Sequence, residues 1–125
     1  MDKIIKYGLA IIKDKKLLIN RKKGTTLFLL PGGKPKKGES IIECLTREIK
    51  EEHNVNLIKE SVKFIGKYED LAANEPDTII SIEVYKGDIK GKPIPSSEIE
   101  EQRWFDIKDD KEILSPVLKN HIFPS

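Results

Sequence analysis

Glu48, Glu51 and Glu52 stand within five residues of one another directly after Arg47, and with Glu39 and Glu43 they make five glutamates in fourteen residues. On a helix each residue advances ~100°, which puts Glu52 near ~40° and Glu51 near ~−60° from Glu48. The three carboxylates would then share a face, bordered by an apolar stripe of Ile42, Leu45 and Ile49 at ~60–120°. Like charges three and four apart destabilise a helix by roughly 0.2–0.5 kcal/mol per pair. Glu51 and Glu52 also occupy the last turn, where the helix dipole disfavours anions. A divalent cation would remove both costs, and clustered carboxylate oxygens suit Mg²⁺ or Mn²⁺ and not zinc. A solvated acidic face is the alternative, and charge alone does not separate the two.

The preceding stretch, PGGKPKK, bears on that choice. Gly32 and Gly33 allow backbone to approach a ligand closely and can turn a carbonyl toward a metal. Lys34, Lys36 and Lys37 offer positive charge to phosphate, although a lysine in a turn is ordinarily just solvated. Carboxylates beside a loop of this kind point to metal-assisted phosphoryl chemistry.

Something must hold these groups in place. Ser40 precedes Glu43 by three residues, the capping-box spacing, so a helix is expected over Ile41–His53, closed by Asn54 in a left-handed conformation. KIIKYGLAIIK and KKLLINRK read as a hairpin with Asp14 at the turn, and TTLFLLPGG as a short strand ended by Pro31 and the glycines. SVKFIGKYED, TIISIEVYKGDI and RWFDI read as further strands, GKPIPSSEIEEQ as a loop, and DDKEILSPVLKN as a last helix broken or bent at Pro116. At 125 residues, without repeat or linker, this is one α/β domain spanning 1–125.

Composition sets bounds on function. Charged residues make up 35% of the chain but the net charge is only +2, so any affinity for phosphate must be local and nucleic acid is not favoured as a partner. The single cysteine, Cys44, permits neither an internal disulfide nor a thiolate zinc site, and reads as a small core residue. No apolar run reaches the ~18–20 residues that span a bilayer, and Lys6 interrupts the apolar start, so a cytoplasmic location is the default expectation, with no membrane partner. His53 and His121 read as surface residues too far apart to form a metal pair.

The acidic segment resembles the signature of the Nudix hydrolases. That pattern is Gly, five residues, Glu, seven residues, Arg-Glu, an aliphatic residue, one residue, Glu-Glu, one residue, Gly and an aliphatic residue. Gly33, Glu39, Arg47, Glu48, Ile49, Glu51, Glu52 and Val55 match eight of the nine fixed positions over 23 residues. Asn54 stands where the family has Gly; because Asn tolerates positive φ, the chemistry should survive. FLLPGG resembles the family's strand entering the signature, with Phe28 where an aromatic often stands, and EIEEQRWFDI resembles its late acidic loop and Trp-containing strand.

The resemblance implies an α/β/α sandwich with a mixed sheet between helices, and a pyrophosphohydrolase that cuts a nucleoside diphosphate linked to a further group. It implies Glu48, Glu51, Glu52 and the Gly32 carbonyl as ligands of Mg²⁺ (or Mn²⁺), Arg47 as the group that orients Glu48, and Glu39 as support for the loop or an outer metal contact. Lys34, Gly33 and Phe28 become candidate substrate contacts. Tyr68, Tyr85 and Trp104 could also stack on a base, though aromatics in strands are usually core. The base is open among Glu98, Glu101 and Glu52; Glu98 lies six residues before Trp104, as in MutT-type members. Nucleoside triphosphates are the leading substrate class. The brevity of the chain, without an N-terminal dimerisation segment, weighs against ADP-ribose and other nucleotide sugars; dinucleoside polyphosphates and capped ends are further alternatives. A non-catalytic nucleotide sensor is disfavoured because Arg47 and all three box carboxylates are present. Monomer and homodimer are both open.

Overall fold

The computed structural model describes residues 2–124. Its single long helix, α1 (Ile41–His53), starts and stops as expected. The Ser40 hydroxyl accepts the Glu43 N–H (3.1 Å) and the Glu43 carboxylate accepts the Ser40 N–H (2.9 Å), so two otherwise unpaired donors are satisfied reciprocally. Asn54 closes the helix at φ 53°, ψ 39°, its N–H donating to the Lys50 carbonyl.

The described residues also form seven strands: β1 (Asp2–Ala10), β2 (Ile12–Lys13), β3 (Lys16–Lys22), β4 (Gly32–Gly33), β5 (Asn56–Leu71), β6 (Thr78–Lys90) and β7 (Ile99–Phe105). They form two sheets, not one. The first, in the order β4-β1-β6-β5, is mixed, with β1 and β6 parallel; the second, β2-β3-β7, is antiparallel. β1 and β2 are separated only by Ile11, so one nearly continuous run serves both sheets.

This corrects several expectations. The hairpin is confined to β2 and β3, which turn at Asp14 and Lys15 with φ 52° and 65°, the pair of positive angles a two-residue hairpin needs. β1 instead pairs with β6 and β4. Thr25–Leu30 is not a strand and meets its neighbours only at single bridges, Asn20–Leu29 and Phe28–Leu114. The two glycines expected to end it are themselves the strand β4, opposite Gly8 and Tyr7. Ile99–Gln102, expected as loop, belongs to β7 because it pairs with β3 through Lys22 and Asn20. The last helix is broken around Pro116 into a 3₁₀ turn (Lys111–Ile113) and a π-helical turn (Leu118–Ile122).

Side-chain alternation along β1 and β3 divides the core. Leu9, Ile11 and Leu18 face α1 and meet Leu45 and Ile49. Ala10, Leu17 and Ile19 face the opposite side and meet Phe28, Phe105, Val117 and Leu118. The sheets therefore lie between α1 and the short C-terminal turns. On α1 the core contact is Ile41, not the expected Ile42, which lies half-buried outside this cluster. No described helix is long and apolar enough to cross a membrane.

Candidate active site

The glycine pair has a reason in the chain's own packing. Gly32 has φ 140°, and a Cβ there would stand 2.1 Å from the Tyr7 carbonyl oxygen on β1. A Cβ on Gly33 would stand 2.7 Å from the Glu48 carboxylate. One glycine lets β4 pair with β1, and the other lets the acidic face of α1 come against the loop.

Arg47 organises that contact. Its Nε and Nη2 donate to the two oxygens of Glu39 (2.8 and 2.9 Å), Nη1 to Glu48 Oε1 (2.7 Å) and Nη2 to the Lys34 carbonyl (3.1 Å). Glu51 lies 3.6 Å from Nη1. Glu39 also accepts the Lys36 N–H, and the Arg47 bonds, followed by that backbone bond, pull its carboxyl down to about 2. The fork ties the loop to the helix and aims Glu48 in one operation.

Glu52 is held differently. It is 7% exposed, and its Oε1 accepts the Gly32 N–H at 2.9 Å. Burial pushes its carboxyl up to about 8 against that hydrogen bond. Glu48 is raised in the same direction, again chiefly by burial, with Arg47 opposing. Two carboxylates are thus kept in surroundings that disfavour their charge.

One cleft of about 380 Å³ gathers nearly all the expected residues: Gly32, Gly33, Lys34, Arg47, Glu48, Glu51, Glu52 and Glu98 all line it. Glu98 is 73% exposed on its side chain and 3.8 Å from Lys22 Nζ. Glu101 does not line the cleft; Arg103 and then Arg21 engage it, holding its carboxyl below the usual range. Phe28 is not brought to the cleft. It is 2% exposed in the core, with the Arg103 guanidinium 4.9 Å from its ring centroid, so the expected substrate contact is corrected to a packing role. Tyr85 is buried, and neither it, Tyr68 nor Trp104 lines the cleft.

Sequence reasoning missed two residues here. Lys6 and Lys22 line both the acidic cleft and an adjoining apolar pocket bounded by Leu30, Ile80 and Ile82. Burial lowers the Lys6 pKa; its signal was a lysine interrupting an apolar strand. His53, expected at the surface, is fully buried. Its Nε2 meets Asn20 Nδ2 at 2.9 Å and its Nδ1 meets Gln102 Oε1 at 2.8 Å. Cys44 is buried as expected, and desolvation pushes its thiol up to about 11.

Among the described residues no three His, Cys, Asp or Glu side chains converge at metal-binding distance. Glu48 turns to Arg47 and Glu52 to Gly32, so the carboxylates share a wall without forming a closed triad. The donor set is nevertheless all oxygen, and buried Glu52 and half-buried Glu48 lack full compensation for their charge. It fits a hard divalent ion such as Mg²⁺ or Mn²⁺.

The family model for the NUDIX domain matches residues 6–120. An ADP-ribose pyrophosphatase of Methanocaldococcus jannaschii is 31% identical over 102 residues, which cover 79% of this chain and 59% of that protein. The mRNA-decapping protein OPG122 of vaccinia virus is 61% identical over 28 residues, 22% of this chain and 11% of that protein. This chain therefore spans less than two thirds of the length of either relative. The crystal structure of a MutT NUDIX hydrolase from Burkholderia pseudomallei superposes with a TM-score of 0.78 at 24% identity, covering 94% of this chain and 93% of that one. At that identity the likeness concerns the fold.

Proposed function

This chain belongs to the Nudix family, and from that premise we propose that it is a Mg²⁺-dependent hydrolase cleaving a diphosphate linkage in a nucleoside diphosphate joined to a further group. The leading substrate class is a nucleoside triphosphate, split to the monophosphate and pyrophosphate. The observation that carries the reading is one cleft lined together by Glu48, Glu51, Glu52 and Glu98, by Gly32 and Gly33, and by Lys6, Lys22, Lys34 and Lys36.

In this reading Glu48, Glu51 and Glu52, with the Gly32 carbonyl, hold the ion. A bound divalent ion supplies Lewis acidity toward the diphosphate and toward the attacking water. Arg47 keeps Glu48 turned to the cleft, and the Gly32 N–H keeps Glu52 from rotating away. Gly33 leaves room for the Glu48 carboxylate. The lysines neutralise substrate phosphates, and Glu98 accepts the proton of the attacking water. Its exposure and freedom from arginine favour it over Glu101, whose carboxylate is already engaged by two guanidinium groups.

A second reading has its own support: the relative named as an ADP-ribose pyrophosphatase favours a nucleotide sugar. One experiment separates the two. Purified protein with Mg²⁺ or Mn²⁺ is offered nucleoside triphosphates, ADP-ribose and a dinucleoside polyphosphate, and both products are identified by mass. Monophosphate plus pyrophosphate supports the first reading; AMP plus ribose 5-phosphate supports the second. Tight nucleotide binding without turnover would replace both with a sensor.

A further inference from the structure

The segment that brings Glu98 to the cleft, between β6 and β7, contains Pro93 and Pro95, neither of which can donate a backbone hydrogen bond. It needs external anchors, and these lie on the end of α1. The Ile94 N–H donates to the His53 carbonyl and the Ser96 N–H to the Glu52 carbonyl, each at 2.9 Å. These are carbonyls that the last turn of a helix leaves without internal partners.

Side chains add a second tie. Gln102 Nε2 donates to the Pro93 carbonyl at 2.8 Å, which turns Gln102 Oε1 toward His53 Nδ1 at 2.8 Å. His53 Nδ1 must therefore carry the proton, and Nε2 accepts from Asn20 Nδ2 at 2.9 Å. One neutral tautomer satisfies every one of these contacts. The imidazole is fully buried and Asn20 is 1% exposed, so breaking the chain leaves polar atoms unpaired in the interior. The family signature leaves the position of His53 open, between Glu52 and Asn54.

We propose that His53, acting through Gln102 and braced by Asn20, is a positioning residue that fixes segment 93–98 on the end of α1 and so sets Glu98 at the mouth of the cleft. The same helix end carries Glu52, so one joint sets the spacing between the proposed metal face and the proposed base. The inference rests on Glu98's assignment above.

The test is NMR on the metal-free protein together with kinetics on Gln102→Met, which keeps side-chain length at a half-buried site and removes both of its hydrogen bonds. Wild type should show a protected proton on His53 Nδ1. In Gln102→Met, amide exchange at Ile94 and Ser96 should rise by about tenfold, the size of one net hydrogen bond, while Cys44 and Asn54 keep wild-type exchange. On whichever of ATP, dGTP or ADP-ribose turns over, kcat should fall by about tenfold with KM and Mn²⁺ affinity within about twofold. Unchanged exchange at Ile94 and Ser96, or a proton on Nε2 in place of Nδ1, overturns the proposal. Loosened amides with an unchanged kcat overturn the positioning role where Glu98→Gln is slowed by roughly 10²–10⁴, and are a failure of the functional reading alone where Glu98→Gln also turns over normally.

Discussion

Glu52→Gln isolates the charge at the most buried member of the acidic face. Glutamine keeps an oxygen to accept the Gly32 N–H, so shape and hydrogen bond survive and only the charge goes. The folded carboxyl is pushed up to about 8 from 4.5, chiefly by burial. Between those values the folded state binds more protons than the unfolded state, so stability falls as pH rises. The penalty is absent below 4.5, grows through the window and levels off above about 8. At pH 7, with 1.36 kcal/mol per pH unit, it comes to about 3 kcal/mol. Without metal, Glu52→Gln should therefore match wild type near pH 4.5 and exceed it by about 3 kcal/mol at pH 7. Mg²⁺ should nearly close that gap by stabilising wild type, by about 2.7 kcal/mol at a hundredfold excess over Kd, with little effect on the variant. Urea unfolding of both proteins at several pH values, with EDTA or Mg²⁺, measures each quantity. A stability gap that does not grow with pH would refute the burial argument, and equal Mg²⁺ stabilisation of both proteins would refute the metal assignment.

Arg47→Lys cannot hold both oxygens of Glu39 and still reach Glu48, so turnover should fall by roughly 10–100-fold, as when the groups orienting a metal ligand are lost; steady-state kinetics and a thermal melt check this. Gly33→Ala should displace the Glu48 carboxylate, a flexible side-chain end, so activity should drop sharply while Tm stays within a few degrees; an active variant would mean that Glu48 can work from another position. Glu98→Gln should lose roughly 10²–10⁴ in rate at unchanged Mn²⁺ affinity. Glu101→Gln should retain near-normal rate, since its arginine pairs lie outside the cleft; the opposite ranking in single-turnover measurements would exchange the two roles.

Much of the site was legible because its signals are local. Ser40 and Glu43 announce the start of α1 and Asn54 its end, through hydrogen bonds spanning only a few residues. The burial of Glu52 was also within reach. On the helical wheel it lies near ~40°, between Leu45 at ~60° and Ile41 at ~20°, inside the core stripe and not beside it. The residues that were misread depend on distant partners. His53 is an ordinary polar residue until Asn20 and Gln102, contributed by β3 and β7, close around it. Phe28 looks available to a base until Arg103 covers its ring. Gly32 and Gly33 look like a turn, and only the pairing of β1 with both β4 and β6 makes them a strand.

The most direct test is product analysis in ¹⁸O-labelled water on nucleoside triphosphates and ADP-ribose with Mg²⁺, run in parallel with EDTA and with Glu52→Gln. One labelled phosphate oxygen per cleavage is expected at the diphosphate linkage, with turnover abolished by EDTA and reduced by orders of magnitude in the variant. Turnover that persists in EDTA, or that Glu52→Gln leaves intact, would contradict it.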